Sequence, residues 1–232
     1  MELKNILAGV AASAVLATGS AFANTIIVDD FDTAQSVEDA SFGDGSETDG
    51  PVAANVNWNR TVEVEAFQNG PVPPGAGASV RIGNSVAAFS GDSNVGFLST
   101  LTFAREAGTA NFDLPGFNER FQVDVLSADG TATFTFGLED VNGNISTTSQ
   151  SIEAADLGVT EFLFSDLMPM VGGGVDITQI VGLFFEVEGD PEFDLTIDLI
   201  GVTDTAIPLP AGAPLLASAL AGFAAFRRFR KN

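Results

Sequence analysis

The chain has 232 residues, with 31 Asp and Glu against nine Lys and Arg, a single Trp, and no His, Cys or Tyr. Without His or Cys there is no Ser-His or Cys-His nucleophile pair, no imidazole acid or base, no thiolate zinc site and no ordinary haem ligation. From Asn24 to Phe226, 30 acids against four arginines leave a net charge of −26, which argues against nucleic acid and anionic lipid as partners.

The first 23 residues read as an export signal. Lys4 lies in a short polar start, an apolar run follows from Ile6 to Ala17, and Ala21 and Ala23 place small residues where a signal peptidase cuts. An N-terminal core helix is the alternative. Under the export reading, signal peptidase is a partner and the mature chain starts at Asn24.

Residues 24–204 form one globular stretch, large enough to bury a core without covalent staples. Its dominant period is two. "TVEVEAF" from Thr61 alternates Val62, Val64 and Ala66 with polar residues, and "RFQVDV" puts Phe121, Val123 and Val125 on one face. After Asp129-Gly130, Ala132, Phe134 and Phe136 share a face, which predicts a hairpin. Asn142-Gly143 predicts a second. "NTIIVDDF", "ASVRIG", "VGFLSTLTF", "TANFDL", "TEFLFSDL", "IVGLFFEVEGD" and "FDLTIDLIGV" bring the expectation to about ten short strands. "SFGDGSETDGP" (41–51) and "NGPVPPGAG" (69–77) read as surface loops. No stretch of this region keeps a helical period, so the expected architecture is all-β, an antiparallel jelly-roll β-sandwich.

Several residues in this region could carry chemistry. Trp58, beside Asn55, Asn57, Asn59 and Arg60, offers a ring and hydrogen-bonding groups for stacking a sugar, or it is a core residue on a strand. Glu63 with Glu65, and Glu186 with Glu188, would share strand faces as a glycosidase pair would, but strand alternation alone produces such spacing. No hydrolase or lyase signature accompanies them, and the chain reads as no enzyme. "DVNGN" (140–144) resembles the opening of an EF-hand loop, but Gly143 stands at the fourth position and Ser151 where the bidentate Glu belongs, so it reads as a turn.

The last 28 residues, 205–232, change character. From Ala206 to Phe226 no residue is charged, and Arg227, Arg228, Arg230 and Lys231 follow. Prolines 208, 210 and 214 keep the start extended; a helix is expected over 214–226. Its length of about 20 Å falls short of a hydrocarbon layer of about 30 Å. The basic cluster would stay on the cytoplasmic side, leaving the acidic body outside.

The string Ile207-Pro208-Leu209-Pro210-Ala211, followed by an apolar helix and a basic end, resembles the VPLPA-CTERM form of PEP-CTERM sorting signals of Gram-negative bacteria, with Ile where Val is usual. The resemblance implies processing by an exosortase of the inner membrane, transient anchoring there, and delivery to the cell surface or extracellular matrix among exopolysaccharide and biofilm. A plain membrane anchor is the alternative.

"IIVDDFDTAQ" and "FDLTIDLIGV" are similar to the first and last strands of carbohydrate-binding and galactose-binding-like jelly rolls. That resemblance implies termini lying side by side and a structural calcium ion held there, for which Asp29, Asp30, Asp32, Asp194 and Asp198 are the candidates. Solvated strand ends are the alternative. The expected function is an exported, noncatalytic surface or matrix protein, with a calcium-dependent carbohydrate-binding module as the second reading.

Overall fold

The computed structural model describes residues 25–42, 45–55, 58–105 and 120–203. The export signal with Ala21 and Ala23, Asn57, the "TANFDL" strand, the sorting motif, the helix over 214–226 and the basic end lie outside them. Among the described residues no helix is long and apolar enough to cross a membrane.

Fourteen strands run in chain order among these residues: β1 (Thr25–Asp29), β2 (Gln35–Asp39), β3 (Glu47–Ala53), β4 (Trp58–Gln68), β5 (Ala78–Gly83), β6 (Val86–Gly91), β7 (Val95–Arg105), β8 (Arg120–Asp129), β9 (Thr131–Asp140), β10 (Ile145–Glu153), β11 (Gly158–Leu163), β12 (Met168–Val171), β13 (Ile180–Gly189) and β14 (Asp194–Thr203). A 3-10 turn, Phe164–Asp166, joins β11 to β12.

They form two antiparallel seven-stranded sheets. The first runs β11-β8-β14-β6-β5-β2, with β1 on the far half of β14; the second runs β12-β10-β9-β13-β7-β4-β3. The chain is therefore an antiparallel β-sandwich of jelly-roll type, crossing repeatedly between its layers.

Alternation sets the inner faces. In β4, Trp58, Val62, Val64 and Ala66 are buried while Glu63 and Glu65 are exposed. Phenylalanines fill the space between the sheets: Phe134 meets Phe185 edge-on at 5.2 Å, and Phe121 also approaches Phe185, at 5.9 Å. Offset and edge-on rings at such separations add to the burial of their apolar area.

Three expectations need correction. Asp129-Gly130 does not close a hairpin: β8 pairs with β11 and β14, whereas β9 pairs with β10 and β13. The turn carries the chain from one sheet to the other, so the two apolar faces oppose each other across the core. The stretch 41–51 is not all loop, because Glu47–Ala53 is a strand on β4. It escapes periodicity because none of its side chains is buried. There are also more strands than the ten expected; β2, β6 and β12 were hidden by inward polar groups, small residues and an exposed edge respectively. The Asn142-Gly143 turn does close a hairpin, pairing Glu139 with Ile145.

One edge of the sandwich is sewn by polar groups. The Arg60 side chain occupies an inward position of β4 and is fully buried. It donates from Nη1 to Asp29 Oδ2, from Nε to Gln35 Oε1 at 2.8 Å and from Nη2 to the Thr33 carbonyl at 2.7 Å, with its guanidinium 5.7 Å from the centre of the Phe31 ring. Asp39, also buried, accepts from the backbone N–H of Ala66 at 2.7 Å and of Ser41 at 2.9 Å, tying the end of β2 to β4.

Candidate functional site

The outer face of the first sheet carries a groove of about 400 Å³. It is built on the β5–β6 hairpin, whose turn residues Asn84 and Ser85 have φ of 54° and 62°, in the left-handed region that tight hairpin turns require. That turn sets the register: Arg81 opposes Ala88, and Ser79 opposes Ser90. On the open side β2 adds Ser36 opposite Arg81 and Glu38 opposite Ser79. The side chains of one row across the sheet, Glu38, Ser79 and Ser90, therefore point the same way as those of the next, Ser36, Arg81 and Ala88.

Both rows continue onto β14 and β8. Ala88 opposes Thr196 and Thr196 opposes Ser127; Ser90 opposes Asp194 and Asp194 opposes Asp129. The result is a track across five strands, about 20 Å wide at the usual strand spacing, in which Ser, Thr and Ala are interspersed with Arg81 and the acids Glu38, Asp194 and Asp129.

One end is closed by a backbone clasp. Asp92 donates its N–H to the Gly77 carbonyl at 3.0 Å, and Asp92 Oδ2 accepts from the Gly77 N–H at 2.9 Å. Gly77 has no room for a side chain, because a Cβ there would stand 2.2 Å from the Asp39 carbonyl oxygen. The buried Asp39 and the groove wall thus share one tight contact.

The groove holds one cation, Arg81, with Glu38 on the neighbouring strand and Asp92 at the clasp. Among the described residues Arg60 is committed to Asp29 and Arg120 to Glu161, while Arg105 also has a partner. Arg81 is exposed and its guanidinium takes part in neither ion pair. What the groove offers is a set of donors and acceptors over a floor of small residues.

The outer face of the second sheet is different. Glu63 and Glu186 flank Thr100 in one row, and Glu65 and Glu188 flank Leu98 in the next. Burial, and then the neighbouring Glu188 charge, raise the Glu186 carboxyl above its ordinary value. These four lie on the solvent face that alternation predicts.

The five carboxylates expected to hold calcium are not gathered. β1 does lie beside β14, with Thr25 opposite Thr203 and Asp29 opposite Ile200. Asp29, however, turns inward to Arg60 and accepts from the Phe31 N–H at 2.9 Å. Burial pushes its carboxyl up, while the Arg60 charge pulls it down. Asp30 accepts from Asn55 Nδ2 at 3.1 Å, and Asp32 from Ser85 Oγ at 2.6 Å. Asp194 sits at the opposite end of β14, about 20 Å along the strand from Ile200. Asp198 faces Asp124; burial and then that neighbour raise its carboxyl. Among the described residues no three acidic groups come close enough to share a metal ion.

The expected sugar platform is also not formed by these side chains. Trp58 is 4% exposed and belongs to the core. Arg60 is spent on the edge network described above, and Asn59 points to the opposite, outer face of β4. The alternation of Val62, Val64 and Ala66, carried back by even steps through Arg60, is the sequence signal that puts Trp58 on the inner face.

The "DVNGN" segment is a hydrogen-bond hub. Asp140 Oδ1 accepts from the N–H groups of Asn142 (2.8 Å) and Asn144 (3.0 Å), and Oδ2 from Asn144 Nδ2 (2.9 Å) and the Asp176 N–H (3.0 Å). The Asn144 amide, with these backbone donors, holds its carboxyl down at about 2. Its oxygens serve the turn.

No protein-family model matches the sequence, and no curated protein matches it. Several solved structures resemble the fold. A family 11 carbohydrate-binding module of a cellulosomal cellulase from Clostridium thermocellum is 12% identical with a TM-score of 0.41, covering 78% of this chain and 95% of its own. A family 30 carbohydrate-binding module of another cellulosomal cellulase from that organism is 16% identical, TM-score 0.40, covering 79% and 99%. The match to PfGH50B is 15% identical, TM-score 0.40, and covers 55% of this chain but 21% of that protein.

Proposed function

We propose that the chain is an exported, noncatalytic carbohydrate-binding protein of the cell surface or extracellular matrix, engaging polysaccharide along the outer face of the first sheet. The groove carries this reading. It sets the guanidinium of Arg81, the carboxylates of Glu38 and Asp92 and the hydroxyls of Ser79 and Ser90 on one rigid hairpin and its neighbour. Sugar hydroxyls both donate and accept, so a mixed set of fixed donors and acceptors suits them. The acidic body favours no polyanionic nucleic acid, and the absence of His and Cys supports binding over catalysis. Calcium has no part in this reading, since the expected ligands do not converge.

Delivery rests on the two ends. The export signal would be removed after Ala23, and an exosortase would act on Ile207-Pro208-Leu209-Pro210-Ala211 while Arg227, Arg228, Arg230 and Lys231 hold the tail inside. Exopolysaccharide is then the partner within reach.

Two experiments test the two halves. Retention of the full chain on immobilised polysaccharide should be abolished by Ala88→Trp, which fills the groove from an outward position; unchanged retention would contradict the groove reading. In an exosortase-bearing Gram-negative host, Pro208→Ala with Pro210→Ala should leave the chain unprocessed and membrane-bound; processing as in the parent would contradict the sorting reading.

A further inference from the structure

Resting on the glycan reading above, we infer that the groove selects neutral polysaccharide, with Arg81 and Glu38 acting as a donor and acceptor pair for neighbouring sugar hydroxyls. The two residues occupy diagonal positions on paired strands, Arg81 opposite Ser36 and Glu38 opposite Ser79, and both side chains are exposed on the outer face. Such diagonal neighbours lie about 7–8 Å apart at the backbone, within reach of one sugar ring by long side chains. A guanidinium only donates and a carboxylate only accepts, so together they fit adjacent hydroxyls that do both.

Charge selects against the alternatives. A polyuronate would bring a row of carboxylates along a track that already carries Glu38, Asp92, Asp194 and Asp129, on a body of net charge −26. One arginine does not offset that field. A polymer of free amines would be drawn to the acidic surface generally, inside the groove and outside it, and screened away by salt. A neutral chain is held by the pair itself, and its hydrogen bonds to charged partners are the stronger kind.

The test is affinity electrophoresis of the full chain in gels containing a neutral β-glucan, a polyuronate or a partly de-N-acetylated amino-sugar polymer, each at low and high salt. Retardation by the neutral glucan should be nearly independent of salt, and Arg81→Gln and Glu38→Gln should each weaken it about tenfold without moving the thermal midpoint. Binding of the polyuronate that is lost in Arg81→Gln, or binding of the amino-sugar polymer that persists at high salt and is lost in Glu38→Gln, would overturn the charge class while leaving the glycan reading in place. Retardation by none of the three would overturn the glycan reading and this inference with it.

Discussion

The rings of Phe121 and Phe136 stack 3.9 Å apart, with 15° between their planes. One comes from β8 in the first sheet and the other from β9 in the second, and both are fully buried. The stack bridges the two layers that the chain joins at Asp129-Gly130, toward the other end of β8 from that turn. Phe121→Ala or Phe136→Ala should therefore cost about 3–5 kcal/mol of stability, the usual loss for emptying a buried aromatic site. Urea unfolding with an unchanged slope would measure it.

Removing Arg60 should cost a similar amount for a different reason. Arg60→Ala would leave Asp29 buried, without its opposite charge, a loss of about 3–5 kcal/mol. Replacing both partners by apolar residues of matched volume, as in Arg60→Met with Asp29→Leu, should recover most of that loss. Thermal unfolding of the single and double variants gives the comparison, and equal losses in both would argue that the wider network with Gln35 and Thr33 matters more than the pair.

Gly77→Ala should be destabilising by about 1–3 kcal/mol, because the added Cβ would stand 2.2 Å from backbone and not from a movable side chain. It should also weaken polysaccharide retention, since Gly77 forms the clasp with Asp92 at the end of the groove. Calorimetry and retention measured on the same preparation separate the two effects.

Acid should undo the β9–β10 hub in a defined window. The folded state holds the Asp140 carboxyl at about 2, below the ordinary carboxylate value of about 4. The unfolded chain therefore binds the proton more readily, so the hub's contribution is complete above about pH 4 and fades as pH falls toward 2. Asp140→Asn should flatten the stability profile in that window. Glu186 has the opposite sign: its carboxyl is raised, so its charge opposes folding at neutral pH, and Glu186→Gln should raise the thermal midpoint there and lose that advantage in acid.

Strands with one face buried were legible in the sequence. β4, β5, β7, β8, β9 and β13 announce themselves because Val, Phe and Leu recur at every second position where the inner face is dry. β2 did not, since its inward residues include Gln35 and Asp39, whose partners Asp49 and Ala66 come from other strands. Alternation also does not say which sheet a strand joins, which is why Asp129-Gly130 looked like a hairpin. The groove was not legible either. Glu38 stands 43 residues before Arg81, and the two share a face with Ser90 only through the β2-β5-β6 register.

The central claim is that polysaccharide binds on the outer face of the first sheet. Backbone amide chemical shifts of the full chain in detergent, followed during titration with a neutral β-glucan oligosaccharide, test it most directly. The account predicts changes centred on Glu38, Ser79, Arg81, Ala88 and Ser90. Changes centred instead on Thr100, Thr135 and Glu186, on the outer face of the other sheet, would contradict it.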